Sequence, residues 1–201
     1  MIRNVVFDFG QVMVRFEPDY MVGVYVSDEA DRRLLSEVIF DRLYWNALDS
    51  GNISDAEVVL RFKERIPERL HSVAEKIYYN WIYNIPEISG MSELVERIKR
   101  EYGVRVFLLS NICTYFAENE EKLPILSLFE KRIYSAVCGF VKPDAKIFEH
   151  LCLECDILPQ DTLFIDDSPK NIKGAESFGI KGYLFDGDAK RLSDYLDSVL
   201  S

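Results

Sequence analysis

Five short runs rich in apolar residues predict five β-strands, at Asn4–Phe9, Val104–Leu109, Arg132–Val137, Thr162–Ile165 and Lys181–Phe185. Several of these runs are apolar without alternation, which is typical of strands buried on both faces of a parallel sheet. Helical patterns lie between most of the runs, so strand and helix alternate along the chain. This alternation predicts an α/β fold with a Rossmann-like, doubly wound parallel sheet.

Three stretches in the alternating part predict helices, at Met91–Glu101, Asp144–Cys155 and Pro169–Phe178. The first carries its apolar residues on one face, and Gly103 follows it as a stop. Pro169 fits the first turn of the third helix, and Gly179 fits its C-terminal stop. Pro143, next to the start of the second helix, is expected to occupy the position of a first helical residue.

The segment from residue 15 to residue 86 breaks this alternation, because it has helical patterns and little convincing strand. We expect helices at Asp28–Phe40, Asp41–Leu48 and Pro67–Tyr83, and one that runs from a capping box at Ser54 to about Arg65. The sequence therefore predicts two domains. Residues 1–14 and 87–201 form the α/β core, and residues 15–86 form an inserted, all-helical domain.

Composition and charge narrow the class of partner. The 201 residues are 48% hydrophobic, which is enough for a full core, and the formal net charge is −10. Such an acidic surface repels nucleic acids and anionic membranes. No apolar stretch approaches the roughly 20 residues that span a bilayer, and no signal peptide is visible. We expect a cytoplasmic protein without a nucleic-acid or membrane partner.

The four cysteines include one Cys-x-x-Cys pair, Cys152 and Cys155. A structural zinc site needs a second pair of ligands, and only His150 is close in sequence. We therefore interpret the pair as two small apolar thiols on a helix, reduced as in the cytoplasm.

Polar residues follow the apolar runs where a site is expected. Asp8 follows the first run, Ser110 and Asn111 the second, and Asp166 and Asp167 the fourth. Ligands of open parallel sheets bind beyond the carboxyl ends of the strands, so these side chains should meet at one edge. Together with Lys142 of a Lys-Pro pair, they supply a carboxylate nucleophile, a hydroxyl, an ammonium and a metal-binding acidic pair. This set suits the transfer of a phosphoryl group.

Each motif alone has a simpler explanation. Asp8 resembles a turn or N-cap residue, Lys142 a surface lysine, and Asp167 or Ser168 the cap of the next helix. The four motifs in this order, however, resemble the haloacid dehalogenase-like (HAD) hydrolase superfamily with a helical, C1-type cap after the first strand. The resemblance covers essentially the whole chain.

The resemblance implies the roles of the metal-binding residues. Asp8 is the expected nucleophile, which forms an aspartyl-phosphate that water hydrolyses. Mg²⁺ is the expected cofactor, held by Asp8, by the backbone oxygen of Gly10 and by Asp167. Asp166 is expected to act on the metal through water or from the outer shell. Three converging carboxylates repel one another unless a cation joins them.

The resemblance also implies which residues bind the phosphoryl group. Ser110 is expected to donate from its hydroxyl and Asn111 from its backbone N–H. Lys142 is expected to neutralise the phosphoryl charge and to orient Asp8, a large catalytic effect in a dry site. Asn171 matches a position that supports the acidic loop in this family.

One position departs from the family pattern. Many phosphatases of the superfamily carry a second aspartate two residues after the nucleophile, where it protonates the leaving group and activates water. Gly10 occupies that position here. Losing such a group costs about 10²–10⁴ in rate. A good leaving group, a substrate hydroxyl or Gln11 positioning water would recover part of this loss.

These features favour a Mg²⁺-dependent phosphatase of a small phosphorylated metabolite. Capped relatives with glycine at this position resemble sugar-phosphate phosphatases, including enzymes that act on glucose 1-phosphate. A 2-haloacid dehalogenase and a binding protein without catalytic activity remain alternatives, the second because of Gly10.

The inserted helices carry aromatic residues, among them Tyr78, Tyr79, Trp81 and Tyr83. Their helical spacing predicts that some pack inside the insert and that one or two face the substrate. We interpret Trp45, Asp49 and Gly51 as parts of a turn between two helices.

Overall fold

A computed structural model describes residues 1–201 and contains one five-stranded sheet in which every pairing is parallel. The strands are β1 (Asn4–Phe7), β2 (Arg105–Ser110), β3 (Lys131–Tyr134), β4 (Thr162–Asp166) and β5 (Lys181–Leu184). Their order is β3-β2-β1-β4-β5. The chain builds one half of the sheet outward from β1 and then returns to build the other half. The predicted α/β class and doubly wound sheet are confirmed.

Eleven α-helices accompany the sheet. Five precede β2 in the inserted segment: α1 (Pro18–Gly23), α2 (Glu29–Ile39), α3 (Arg42–Asp49), α4 (Asp55–Lys63) and α5 (His71–Asn80). The others are α6 (Met91–Tyr102), α7 (Thr114–Glu118), α8 (Ser135–Cys138), α9 (Ala145–Cys155), α10 (Pro169–Phe178) and α11 (Ala189–Leu200). None of the helices is long and apolar enough to cross a membrane.

The two faces of the sheet are buried by different helices. Val5 and Phe7 point into the larger apolar cluster with α6 and α11, whereas Val6 points into a smaller cluster with α9 and α10. Successive side chains of a strand alternate between faces, so an uninterrupted apolar run is needed to bury both. This requirement explains why β1 shows no polar alternation.

The inserted helices leave and rejoin the sheet through a pair of short backbone contacts. The Arg15 N–H donates to the Pro86 carbonyl at 2.8 Å, and the Ile88 N–H donates to the Met13 carbonyl at 2.9 Å. The larger apolar cluster then continues without a break from the sheet into the inserted helices. The boundaries at 14/15 and 86/87 stay a prediction, and these contacts lie beside them.

Several predicted elements have different bounds. The third run is strand only to Tyr134, because α8 begins at Ser135, and β1 ends at Phe7. The stretch Pro67–Tyr83 is not one helix but α5 between two 3₁₀ turns, Glu68–Leu70 and Trp81–Asn84.

Helix starts show two further differences. Ser54 caps α4 by accepting from the Glu57 N–H at 3.2 Å, but the Glu57 side chain binds Arg61 and not the cap residue, so the capping box is half formed. The sequence predicts Pro143 in the first turn of a helix, which is wrong. Instead, α9 begins at Ala145, and the Asp144 carboxylate is its N-cap. Pro169 does lie in the first turn of α10, and Gly179 ends that helix.

All four cysteines are free thiols. Cys152 and Cys155 both lie on α9, as the sequence predicts, and Cys155 packs in the smaller apolar cluster.

Candidate active site

The predicted polar residues meet at the carboxyl edge of the sheet, where the strand order reverses between β1 and β4. Phe7 pairs with Ile165, and the Asp8 N–H donates to the Ile165 carbonyl at 2.9 Å, so Asp8 and Asp166 lie side by side. Ser110 is the last residue of β2. Asp8, Ser110 and Lys142 line one cavity of about 440 Å³. Its place at the switch point is where ligands of such sheets bind.

Lys142 contacts the aspartates at the ends of both β1 and β4. Its side chain is 1% exposed, and its ammonium lies 2.8 Å from Asp8 Oδ1 and 2.8 Å from Asp166 Oδ2. It also donates to the Leu109 carbonyl at 3.0 Å. Burial alone would favour a neutral amine, but the two carboxylates raise the pKa of Lys142. The side chain is therefore a fixed cation that holds Asp8 in place, as predicted for its orienting role.

Asp8 lies in an environment that disfavours its charge. Burial raises the pKa of Asp8 to about 7, and Asp166 adds to that rise, whereas Lys142 and the Phe9 N–H oppose it. Ligand oxygens of Asp8, Asp166 and Asp167 all lie within 4.8 Å of one another. One ammonium does not balance three carboxylates at this spacing. A divalent cation bound to the same oxygens would remove the remaining repulsion.

The acidic pair after β4 has two different environments. Asp166 is fully buried, and protein donors occupy both of its oxygens: the Ser168 N–H, the Asn171 side-chain amide and Lys142. Asp167 is exposed and lines the cavity. This difference favours Asp167 as a direct metal ligand and Asp166 as the residue that fixes the loop. Asn171 supports the acidic loop through these contacts, as the resemblance implies.

Asn111 has a role that the sequence did not indicate. Its side-chain oxygen accepts from the Lys142 N–H at 2.8 Å, and its amide nitrogen donates to the Lys142 carbonyl at 3.0 Å. The side chain therefore binds both backbone groups of Lys142 and sets the position of the ammonium. Asn111 also lines the cavity, and the donation from its backbone N–H to a phosphoryl oxygen stays a prediction.

The residue after Lys142, Pro143, packs closely against Gly174 of α10. A Cβ added to Gly174 would lie 2.7 Å from both the Cβ and the carbonyl oxygen of Pro143. Backbone atoms cannot yield at that distance without moving the loop, so only glycine fits. The sequence predicts a helix here but gives no sign of this close approach.

We expect Gly174→Ala to lower the free energy of unfolding by about 1–3 kcal/mol, because the added methyl overpacks the contact with Pro143. The displaced loop should also weaken catalysis through Lys142. Chemical denaturation and steady-state kinetics measure both effects. Gly103→Ala is a control in which the added Cβ meets no atom within 4 Å, although its positive φ carries a local cost. Equal kinetics in wild type and Gly174→Ala would contradict the expectation.

The inserted helices form the opposite wall of the cavity, and much of that wall is aromatic. Phe16, Trp45 and Trp81 contact one another edge to face with ring centroids 5.4–5.6 Å apart, and Phe40 joins them. Of the aromatic residues singled out in the sequence, Trp81 lines the cavity, Tyr78 is buried and donates to Asp55, and Tyr83 is exposed. The division of these side chains between core and cavity is confirmed.

Asp49 is the site residue that sequence reasoning missed. The sequence suggests a turn at Asp49, but the residue is the last of α3 and lines the cavity together with Asp8. Its Oδ1 atom is buried and has no hydrogen-bond partner. Burial raises the pKa of Asp49 to about 7, while Arg42 and Lys142 oppose that rise. No periodic pattern or motif distinguishes this aspartate in the sequence.

Gly10 lies on the floor of the cavity, and a Cβ added to it would meet no atom within 4 Å. The neighbouring Gln11 has a left-handed backbone, with φ of +58°, and its side-chain amide donates to the Phe16 carbonyl at 3.1 Å. The loop after the nucleophile therefore contributes no acid or base side chain to the cavity.

The fold and this arrangement of groups define a class of α/β hydrolases with an aspartate at the switch point of the sheet. Residues 2–179 match the family described as haloacid dehalogenase-like hydrolase, and the chain belongs to that family.

Curated relatives of the chain include phosphatases. It is 24% identical to a D-ribitol-5-phosphate phosphatase of Bacteroides thetaiotaomicron over 192 residues, which cover 91% of both proteins. It is 31% identical to a sesquiterpene phosphatase of Aspergillus oryzae over 181 residues, which cover 90% of this chain and 88% of the relative.

A similar fold occurs in a HAD family enzyme from Bacteroides thetaiotaomicron, solved in complex with magnesium and inorganic phosphate. The TM-score is 0.67 at 21% sequence identity, and the match covers 96% of this chain and 99% of the other.

Proposed function

We propose that the protein is a Mg²⁺-dependent phosphatase that hydrolyses a small phosphorylated metabolite through an aspartyl-phosphate on Asp8. The observation that carries the proposal is the Lys142 ammonium, buried and 2.8 Å from Asp8, in a cavity that Asp167 also lines. The activities named for the two curated relatives support it, since both are phosphatases.

The residues present suit a magnesium ion. Carboxylate oxygens of Asp8, Asp166 and Asp167 converge within 4.8 Å, and Mg²⁺ prefers hard oxygen ligands and keeps several waters. We assign Asp8, Asp167 and the backbone oxygen of Gly10 as direct ligands, and Asp166 as a partner through water or in the outer shell. When bound, the ion would neutralise phosphoryl charge and polarise the phosphorus for attack.

Protein groups supply the nucleophile, bind the phosphoryl oxygens and position Lys142. Lys142 and the Phe9 N–H bind Asp8 Oδ1, so the free oxygen, Oδ2, is the one available to bond to phosphorus. Ser110 and the backbone N–H of Asn111 bind the phosphoryl oxygens, and Lys142 neutralises their charge. Asn171 and Ser168 hold Asp166, so that Lys142 stays in position during the reaction.

The cavity sets limits on the substrate. A volume of about 440 Å³ accommodates a small organic phosphate, and its aromatic wall favours a leaving group with an apolar face, such as one side of a sugar ring or an isoprenoid chain. A sugar or sugar-alcohol phosphate remains our first choice, because one relative is a ribitol-phosphate phosphatase.

We further propose that residues 15–86 act as a cap that excludes water and selects the substrate. The contribution of Trp45 and Trp81 to the cavity wall supports this role. A cytoplasmic location is also part of the proposal, and the four free thiols are consistent with a reducing compartment.

Hydrolysis of p-nitrophenyl phosphate should require Mg²⁺, because the three carboxylates need a cation to admit an anionic substrate. We expect EDTA to reduce turnover by about 10²-fold or more and excess Mg²⁺ to restore it. Absorbance of the released p-nitrophenol measures the rate.

Turnover that is unchanged by EDTA would contradict the metal-dependent mechanism. Halide release from 2-chloropropionate without added metal would support the dehalogenase alternative. Absence of turnover with every good leaving group would support the binding protein. A panel of phosphorylated metabolites, assayed with Mg²⁺, then identifies the preferred substrate.

A further inference from the structure

The reaction proposed above lacks one group. Cleavage of an alkyl phosphate leaves an alkoxide, which needs a proton, and the water that later attacks phosphorus must lose one. Gly10 has no side chain to perform either transfer. The Gln11 amide is occupied by the Phe16 carbonyl and, as an amide, neither gives up nor takes a proton at neutral pH.

The residues that line the cavity leave one candidate. No histidine, glutamate, tyrosine or cysteine is among them, and the carboxylates are Asp8, Asp49 and Asp167. Of the two lysines in the lining, Lys142 is paired with Asp8 and Asp166, and Lys170 is an exposed residue of α10. Asp8 is the nucleophile, and Asp167 lies in the acidic cluster at the sheet edge. Asp49 stands apart from that cluster, on the wall formed by the inserted helices.

We propose that Asp49 is the general acid and base of this phosphatase, supplied by the cap in place of the aspartate that Gly10 replaces. The inference rests on the proposed function, since it needs Asp8 to be the nucleophile.

The environment of Asp49 suits a group that carries a proton at neutral pH. Oδ1 is buried without a donor, so the ionised form lacks the hydrogen bonds that would stabilise it. Asp49 also ends α3, where the helix dipole disfavours negative charge. The charged and titratable groups near it are Arg42 on its own helix, Lys142 on the core and the buried Cys113 thiol. The balance places its pKa at about 7, which suits both donating and accepting a proton.

A contact between the insert and the core fixes this residue. Gly51, two residues after Asp49, has φ of +71°, and a Cβ there would lie 3.1 Å from the Ala136 carbonyl oxygen. Glycine therefore allows the end of α3 to pack closely on α8 of the core. Because α8 follows directly from β3, this contact ties Asp49 to the same sheet that positions Asp8.

The two chemical steps balance through Asp49. In the first, Asp8 Oδ2 bonds to phosphorus, the bond from phosphorus to the ester oxygen breaks, and that oxygen takes the proton of the Asp49 carboxyl group. In the second, water attacks phosphorus while the Asp49 carboxylate takes its proton. The bond between phosphorus and Asp8 then breaks, which returns its electron pair to the Asp8 carboxylate and releases inorganic phosphate.

The test compares two esters of similar size that differ in their need for a proton. p-Nitrophenolate leaves without one, whereas the alkoxide of benzyl phosphate requires it. In Asp49→Asn, we expect kcat/KM for benzyl phosphate to fall by about 10²–10⁴ and kcat/KM for p-nitrophenyl phosphate to change less than about threefold. This quantity reports phosphoryl transfer to Asp8 and excludes the later hydrolysis of the aspartyl-phosphate, which needs Asp49 as a base with both esters. Glu37→Gln, which removes an exposed carboxylate from α2, is the control for net charge and should leave both rates unchanged.

An equal loss of kcat/KM with both esters would overturn the proposal, because it would place Asp49 in binding or folding. No loss with either ester would overturn it as well. Since p-nitrophenyl phosphate reports on Asp8 and the metal, failure of the wild type on that ester would instead overturn the proposed function.

A second measurement needs no variant and so does not depend on the folding of Asp49→Asn. In the ratio of kcat/KM for benzyl phosphate to kcat/KM for p-nitrophenyl phosphate, the effects of groups that act equally on both esters cancel. As pH rises through about 7, Asp49 loses its proton and the ratio should fall. A ratio that is constant across this range would contradict the assignment.

Discussion

Replacing Asp8 by asparagine is expected to lower phosphatase turnover by about 10⁴-fold or more, the scale on which loss of a nucleophile acts. Asparagine has nearly the same shape and can still accept the Phe9 N–H, which donates to Asp8 Oδ1 at 2.7 Å. It lacks the negative charge of the carboxylate, and it has no free carboxylate oxygen that can form the bond to phosphorus. Steady-state hydrolysis of p-nitrophenyl phosphate with Mg²⁺ measures the effect.

The structure provides a matched control for this substitution. Asp144→Asn changes an exposed aspartate that caps α9, and asparagine is an equally good cap, so turnover should be unaffected. A folded Asp8→Asn protein that keeps a tenth of wild-type activity would contradict the assignment of the nucleophile. Circular dichroism would show whether each variant retains the fold.

Replacing Lys142 by methionine is expected to have the second largest effect. It removes the cation that contacts both Asp8 and Asp166 and leaves two buried carboxylates unpaired. We expect turnover to fall by about 10²–10³ and the free energy of unfolding to fall by about 3–5 kcal/mol. Kinetics with saturating Mg²⁺ and chemical denaturation without metal measure the two quantities.

Substitution of an exposed lysine separates this effect from loss of charge alone. Lys173→Met on α10 removes a cation that lies outside the cavity lining and should change neither quantity measurably. Equal stability of wild type and Lys142→Met would show that the ammonium does not compensate the carboxylates.

The sheet edge was predictable because it depends on local order in the sequence. Strands of a parallel sheet end at a common edge, so the residues that follow them must meet there. Asp8, Ser110 and Asp166 each follow an apolar run directly. In the structure, Asp8 and Ser110 line one cavity, and carboxylate oxygens of Asp8 and Asp166 lie within 4.8 Å of each other. The same reasoning located the helices at Met91 and Pro169, whose stops are glycines with positive φ.

Asp49 was not predictable in this way, because its importance comes from contacts across the chain. Nothing nearby in sequence distinguishes it from a residue in a turn. In the folded protein α3 packs on α8 beside Gly51, Asp49 Oδ1 is buried, and the residue lines the cavity. The two hydrogen bonds from the Asn111 side chain to the Lys142 backbone join residues 31 positions apart. For the same reason they could not be predicted from the sequence.

The last helix, α11, has a clear local pattern in the sequence. It buries Leu192, Leu196 and Leu200, a regular four-residue spacing that marks one helical face.

The stretch Pro67–Tyr83 has helical periodicity throughout. Even so, it ends in a 3₁₀ turn that includes Trp81, whose ring packs on Trp45 and Phe116. Tertiary packing of one large side chain there overrides the local preference.

Trapping the covalent intermediate tests the central claim most directly. The protein would be mixed with p-nitrophenyl phosphate and Mg²⁺, quenched in acid during turnover, digested and analysed by mass spectrometry. Our account predicts one added phosphoryl group on the peptide that contains Asp8, absent in Asp8→Asn. Rapid turnover with no phosphorylated peptide, or with the phosphoryl group on another residue, would contradict it.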